Sequence, residues 1–335
     1  MNKTIYFYKG SNIEVIDFYF SIIEKAFLNN GWIVEYVSDM NTLFQLNRKS
    51  FIFVAELRHS LPLIIRGYFN IIYWFQGVTP EEDFLRKKSY IRFYALRLCE
   101  YITLKISKIN LFVSDRLLSH YRNTFKLKLE NSFIMPCFNV KGVDFNAFSE
   151  SKYKQNTFCY VGSLSVWQCF PKTISLYKEI ENADNTSFLK VFTSEKEKAL
   201  DYLEQMGVKN FSVDFVKPEK LHESLSDCKF GFIIRDDILV NNVATPTKMS
   251  SYLSSGVIPI FSDCICDFKK YFSNYKYFVP LSNNDNLNVN SLPLDVDILQ
   301  IQNEYSHIYD TYYNENCYIL NLSNTIKKFL GSFNC

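Results

Sequence analysis

The sequence predicts an α/β protein built from two doubly wound halves, each a parallel sheet with helices on both faces. Three observations carry this. Short apolar runs alternate with helical patterns, a polar aperiodic stretch interrupts that alternation near the middle of the chain, and a second alternation follows it. At 335 residues the chain is also long for one core, because a domain usually takes roughly 150 residues. Repetition of strand, helix and strand argues for parallel sheets, and two such halves place their ligand crevices at the carboxyl ends of the strands, facing a cleft between them.

In the first half, Thr4 to Tyr8, Ile33 to Val37, Phe51 to Val54, Asn70 to Phe75, Leu111 to Val113 and Ser132 to Met135 read as strands. Between the first two, Val15, Phe18, Tyr19, Ile22, Ile23, Ala26 and Phe27 recur at helical spacing, and Gly31 ends that helix. Residues 139 to 156, NVKGVDFNAFSESKYKQN, are polar and aperiodic and mark the linker. Thr157 to Val161, Phe188 to Phe192, Phe211 to Phe215, Phe230 to Ile234 and Ile258 to Phe261 then read as a second set of strands. Helices of roughly 10 to 15 residues fit between them, one starting at Pro171, one over Glu195 to Met206, one at Pro218 and one at Pro246. Proline is tolerated in a first helical turn, so these starts are coherent. From Asp297 onward the chain is Tyr-rich and reads as helical to its end.

Composition excludes several classes. Hydrophobic residues make up 47% and charged residues 21%, which suits buried cores and not a disordered tail. No stretch approaches the ~20 apolar residues that span a bilayer, and MNKTIYFYKG lacks a signal-peptide apolar region, so a cytoplasmic protein is expected. Nine cysteines without a CxxC array indicate reduced thiols. The four histidines, His59, His120, His222 and His307, lack metal spacing. No GxGxxG follows a strand and no GxxxxGK occurs, which argues against dinucleotide and P-loop sites. Neither a cofactor nor a nucleic-acid partner is expected.

The net charge of +2 hides a local asymmetry. Residues 84 to 128 carry eleven basic side chains against Glu100 and Asp115, interleaved with Phe84, Tyr90, Phe93, Tyr94 and Tyr101. That mixture suits peripheral contact with an anionic membrane, and it equally suits a solvated basic helix.

The stretch richest in chemistry is GFIIRDDILVNNVATPTKMSSYLSSGVIPIFSD, residues 231 to 263. A buried strand runs into a polar loop with Arg235, Asp236, Asp237, Asn241 and Asn242, after which Thr245, Pro246, Thr247 and Lys248 open a helix. With Thr245 as N-cap and Pro246 in the first helical position, the Thr247 and Lys248 amides would lack intrahelical acceptors. Free N–H groups, the positive end of the helix dipole and a cationic side chain converge there, a combination suited to a diphosphate. A capped helix carrying a surface lysine is the plainer reading of the same residues.

This segment resembles the nucleotide-sugar site of retaining glycosyltransferase family 4, particularly bacterial surface-polysaccharide members. In them an Arg-Asp loop leads to a VNxVAxPTK helix and a YLxxG turn, read here as Arg235-Asp236-Asp237, VNNVATPTK at 240 to 248 and YLSSG at 252 to 256. YWFQGVTPEED at 73 to 83 is similar to the strand-end loop these enzymes present to the cleft, VSDRLLSHY at 113 to 121 to their next strand and helix, and YVGSLSVWQ at 160 to 168 to the first strand and loop of their nucleotide-binding domain.

The resemblance implies the GT-B architecture: an acceptor-side Rossmann-like domain over 1–145, a nucleotide-sugar-binding one over 146–315, and a C-terminal helix over 316–335 packing back toward the first. It implies metal-independent, retaining transfer from a nucleoside-diphosphate sugar to a saccharide acceptor, with a lipid-linked acceptor of capsule or O-antigen synthesis suggested. Arg235 and Lys248 are then expected to stabilise the leaving diphosphate, and Glu81 or Glu82 to position the acceptor hydroxyl. Gly162, Ser163, Trp167, Asp236, Asn241, Thr247 and Ser251 are expected around the donor, with Gln168 beside Trp167 lining a base or sugar pocket. Gln76 and Gly77 are expected on the acceptor side. Two departures stand out. Many members hold ribose and sugar with a pair of glutamates, whose places here are Val243 and Ser251, and the Arg and Lys that often follow the first loop are missing after Gly162. Loss of both carboxylates keeps a second reading open, a non-catalytic GT-B-like carbohydrate-binding or partner subunit. Asp236 and Asp237 likewise keep a divalent-cation role open, beside that of orienting Arg235 or capping the loop.

Overall fold

The structure is a computed structural model that describes residues 3–10, 14–282, 287, 289 and 292–331. The chain forms two compact units, one of Met1–Cys137 with Asn314–Cys335 and one of Phe138–Tyr313.

The first unit holds strands Thr4–Tyr8 (β1), Ile33–Val37 (β2), Phe51–Val54 (β3), Ile71–Phe75 (β4), Ile109–Phe112 (β5) and Ser132–Ile134 (β6) in one parallel sheet of order β2-β1-β3-β4-β5-β6. β4 and β5, IIYWF and INLF, are buried at every position. Near-continuous apolar runs are what a parallel sheet covered on both faces demands, and the one polar side chain of β5, Asn110, donates to the Leu104 carbonyl at 3.2 Å. Helix Glu14–Leu28 and the last helix, Glu315–Leu330, both belong to this unit, tied by Lys25 to Glu315 at 2.6 Å and by Asn30 Nδ2 donating to the Ser323 carbonyl at 3.0 Å.

The second unit holds Thr157–Val161 (β7), Phe188–Phe192 (β8), Phe211–Asp214 (β9), Phe230–Ile233 (β10), Ile258–Ser262 (β11) and Val279–Leu281 (β12), all parallel, in the order β12-β11-β10-β7-β8-β9. The order reverses between β7 and β10, so the loops leaving those two strands flank the switch point at which doubly wound sheets bind ligands. Gly231, in β10, leaves no room for a Cβ, because the Tyr252 ring lies 2.5 Å from where one would sit. The short helix carrying Tyr252 is thereby pressed onto the centre of the sheet.

Several elements differ from the sequence expectation. The helix expected at Pro246 spans Lys248–Ser254, and Thr247, not Thr245, precedes it, without a side-chain cap. Pro246 lies in the preceding turn, its carbonyl accepting from the Met249 amide at 3.2 Å. The helix expected at Pro218 is a single 3₁₀ turn, Pro218–Lys220, followed by Leu221–Leu225. The basic stretch is divided among helices Thr79–Lys87, Tyr90–Ile106 and Asp115–Phe125, with β5 between the last two. The Tyr-rich C-terminus breaks into helices Ile298–Thr311 and Glu315–Leu330, which belong to different units. β12 was not expected at all, since Pro280 within VPL reads against a strand; at the sheet edge a missing N–H is tolerated.

Candidate functional site

β7 and β10 deliver the two halves of the site. After β7 the chain turns at Gly162, whose φ of +133° is one that L side chains rarely adopt, and its amide is held by the Phe192 carbonyl at 2.9 Å. Glu195 Oε2 accepts from the Leu164 amide at 2.6 Å and fixes the next residues of the loop, and Tyr160 donates to the Ser163 carbonyl at 2.7 Å. A 3₁₀ turn, Val166–Gln168, carries Trp167 and Gln168, both half-buried, before helix Phe170–Ala183. After β10 comes Ile234 and then Arg235, only 3% exposed.

Arg235 and Lys248 converge on one side chain. Arg235 NH2 donates to Gln168 Oε1 at 2.6 Å, and Lys248 Nζ donates to the same oxygen at 2.7 Å. Arg235 NH1 donates to the Gln168 carbonyl at 3.1 Å and to its neighbour's, Ile234, at 2.8 Å. The Lys248 ammonium also lies 4.8 Å from the centre of the Tyr160 ring, a cation–π contact. Among the described residues neither cation forms an ion pair with a carboxylate, and the groups that favour the Arg235 charge are tyrosines and cysteines. Burial, and then repulsion by Arg235, hold the Lys248 pKa well below that of a free lysine. Two cations withdrawn from water and sharing one neutral amide oxygen are under-compensated, and an anion at that point relieves both.

Gly162 is part of this arrangement. A Cβ there would meet Lys248 Nζ at 3.0 Å. Gly162→Ala is therefore expected to destabilise the protein by about 1 to 3 kcal/mol, the range for a non-glycine residue in a disfavoured backbone region. Urea melts measure this, and an unchanged midpoint would show that the loop does not need glycine.

The other donor-side residues are distributed differently from the expectation. Ser251, together with Ser250, bonds Asn139 Oδ1, at 3.1 and 2.9 Å, so its hydroxyl is engaged in holding the start of this unit. Asn241 is buried and donates to the Asp236 carbonyl at 3.0 Å, which shapes the loop. Asp236 is exposed and pairs with Lys172 at 3.2 Å, and Asp237 accepts from Asn242 at 2.7 Å. Thr247 contributes its carbonyl to Ser250 and Ser251. Val243 is fully buried. Among the described residues no three His, Cys, Asp or Glu side chains are grouped to hold a metal ion.

In the first unit, Gln76, Gly77 and Glu82 line a cavity of about 730 Å³ at the ends of β3 and β4, floored by Tyr73 and Phe75. Gln76 reaches the Ala55 carbonyl at 3.3 Å. Glu82 folds back under Gly77, and burial raises its pKa. Glu81 is not among the lining residues; it turns to an ion pair with Arg97, which also approaches His120 Nε2 at 3.4 Å. Burial, with Arg97 and Arg116, depresses the His120 pKa to about 4. Beneath the Gly77 turn lies buried Glu100, pushed by burial to about 8, with Glu81 adding to the rise and Tyr121 and Arg97 opposing it. The Tyr121 hydroxyl sits 2.7 Å from Glu100 Oε1 and 3.1 Å from the Gly77 carbonyl. Tyr121 is the donor in both, so its one hydroxyl proton is shared between the Glu100 carboxyl and the Gly77 carbonyl.

Sequence reading did not find Glu100 or Tyr121, because nothing in a helix or strand pattern marks a carboxylate as buried. Gln168 was placed only as a pocket lining; its shared contact with two cations has no sequence signature.

Each unit has the Rossmann-like architecture of GT-B glycosyltransferases, and the chain has that fold. The Anabaena protein HepE, solved with UDP and glucose, superposes with a TM-score of 0.71 at 9% identity, covering 98% of this chain and 100% of that one. The sucrose-phosphate synthase of Thermosynechococcus elongatus gives 0.71 at 10% identity, covering 98% and 99%. TarM of S. aureus, solved as a mutant with fondaparinux, α-GlcNAc-glycerol and UDP, gives 0.61 at 12% identity over 83% of this chain, which spans 56% of TarM. No family model and no curated protein sequence matches the chain.

Proposed function

We propose that this protein is a glycosyltransferase that moves a sugar from a nucleoside-diphosphate sugar, seated on the second unit, to a saccharide acceptor. The observation that carries the reading is the pair of cations, Arg235 and Lys248, meeting beside the switch point of β7 and β10 with no carboxylate paired to either among the described residues. Breaking the anomeric bond leaves about two negative charges on the leaving diphosphate, and pre-placed cations stabilise that developing charge most. An Arg fork and a Lys ammonium supply it without a metal ion. The likeness to structures solved with UDP supports UDP-sugars as the first donors to test.

The cavity lined by Gln76, Gly77 and Glu82 supports an acceptor role for the first unit, with aromatic Tyr73 and Phe75 as its floor. Retention of configuration, cytoplasmic action and a lipid-linked acceptor of capsule or O-antigen synthesis are parts of the same proposal. Peripheral membrane contact is supported by helix Tyr90–Ile106, which exposes Tyr90, Ile91, Tyr94 and Leu98 next to exposed Arg86, Lys87 and Lys88. No described helix is long and apolar enough to cross a membrane.

Incubation with a panel of UDP-sugars tests the main reading. Slow release of UDP is the expected result; a non-catalytic GT-B-like subunit would bind a sugar or a partner and release none. For the membrane contact, reversing Arg86, Lys87 and Lys88 to glutamate is expected to weaken binding to vesicles containing phosphatidylserine by about tenfold or more, since each basic residue near such a surface contributes ~1 kcal/mol. Equal sedimentation with those vesicles would leave the segment as ordinary surface.

A further inference from the structure

Gln168 has a place in this site that its residue type does not announce. Its amide oxygen lies 2.6 Å from Arg235 NH2 and 2.7 Å from Lys248 Nζ, where a bridging oxygen of an anion would sit. Its main-chain carbonyl separately holds Arg235 NH1 at 3.1 Å. The guanidinium therefore stays anchored whatever the carboxamide does. The residue is half-buried at the end of the 3₁₀ turn, and the next residue, Cys169, carries a left-handed φ of 51° that fixes the backbone while the side chain keeps its own rotors.

We propose that the Gln168 carboxamide is an internal stand-in for a phosphate oxygen, occupying the anion seat in the free protein and rotating out when a diphosphate binds. The proposal rests on the reading of Arg235 and Lys248 as the diphosphate site and adds a residue that sets its selectivity. A neutral amide oxygen satisfies two cations only in part, whereas an ionised phosphate oxygen makes charge-assisted bonds about twice as strong. A diphosphate therefore displaces it. An uncharged ligand such as a nucleoside does not, because it offers the cations no better acceptor than the one it would remove. The carboxamide also bridges two like charges that would otherwise repel across a buried space.

Calorimetric titration of wild type, Gln168→Ala, Gln168→Glu and Arg235→Ala with UDP and with uridine tests this. Gln168→Ala is expected to bind UDP about tenfold tighter, because no competitor has to leave, with uridine affinity unchanged. Gln168→Glu, with an internal carboxylate on both cations, is expected to bind UDP about a hundredfold more weakly. UDP binding to Gln168→Ala that is equal to wild type or weaker, alongside a clear loss in Arg235→Ala, overturns the stand-in and leaves the diphosphate site in place. UDP binding equally to wild type and Arg235→Ala, or to no variant at all, removes the site and the stand-in together. Binding to Gln168→Ala but not to wild type supports the stand-in outright. A crystal soaked with UDP needs no variant: a phosphate oxygen is expected where Gln168 Oε1 now lies, and an unmoved Gln168 beside bound UDP overturns the proposal.

Discussion

Lys248→Ala and Arg235→Ala will each weaken UDP binding by about 1.5 to 3 kcal/mol, the range for hydrogen bonds to charged groups, or roughly 10- to 150-fold in Kd. Each cation is buried or half-buried and, among the described residues, bonds neutral partners, so an incoming phosphate gains from both without first breaking an ion pair there. The two effects will not add, because the cations share one oxygen and repel one another. The affinity should also fall as pH rises into the range where Lys248 deprotonates. Burial, and then Arg235, hold Lys248 below its usual pKa, so it loses its proton at a lower pH than a free lysine, and its attraction for the diphosphate goes with the proton. Titration calorimetry with UDP across an alkaline pH series measures this. Unchanged affinity in both variants would move the diphosphate elsewhere and remove the reading of the site.

Glu100→Gln will abolish most of a stability loss that the wild type shows between about pH 4.5 and 8. Burial lifts Glu100 from an ordinary 4.5 to about 8. Between those values the folded protein keeps a proton that the unfolded chain has released, so stability is full below 4.5 and is lost as pH climbs through about 8. The difference at pH 8.5 is on the order of a few kcal/mol, and glutamine, which cannot ionise, does not incur it. Neighbouring Glu81 and Glu82 shift in the same direction and His120 in the opposite one, so thermal melts of wild type and variant should be compared across the same pH series. Parallel curves would mean that Glu100 is charged in the folded protein and solvated by a route the geometry does not provide. The same substitution disturbs the support of the Gly77 turn, so an altered acceptor KM with little change in donor affinity is the expected functional trace.

Much of the architecture was legible in the residues. Strands such as Thr4–Tyr8, Thr157–Val161 and Phe188–Phe192 are readable to the residue, because each is dense in aromatic and β-branched residues and is bounded by polar residues or glycine. β12 was hidden by Pro280, and the start of the Lys248–Ser254 helix was placed too early, because a proline fits the turn before a helix as readily as its first residue.

By itself, then, the amino-acid order determined the alternation of strands and helices, the glycine turn after β7 and the kinds of side chain available to bind an anion, all of which depend on near neighbours along the chain. Only the tertiary structure decided which of them meet. Gln168 and its cationic partners are 67 and 80 residues apart in the chain, and they are neighbours because β8 and β9 were laid to one side of β7 while β10 returned to the other. Glu81 and Glu82, adjacent in the chain and chemically alike, were separated in the same way, one toward Arg97 and one into the cavity. Helix geometry turns consecutive side chains to different faces, and what waits on each face is set by packing from distant segments.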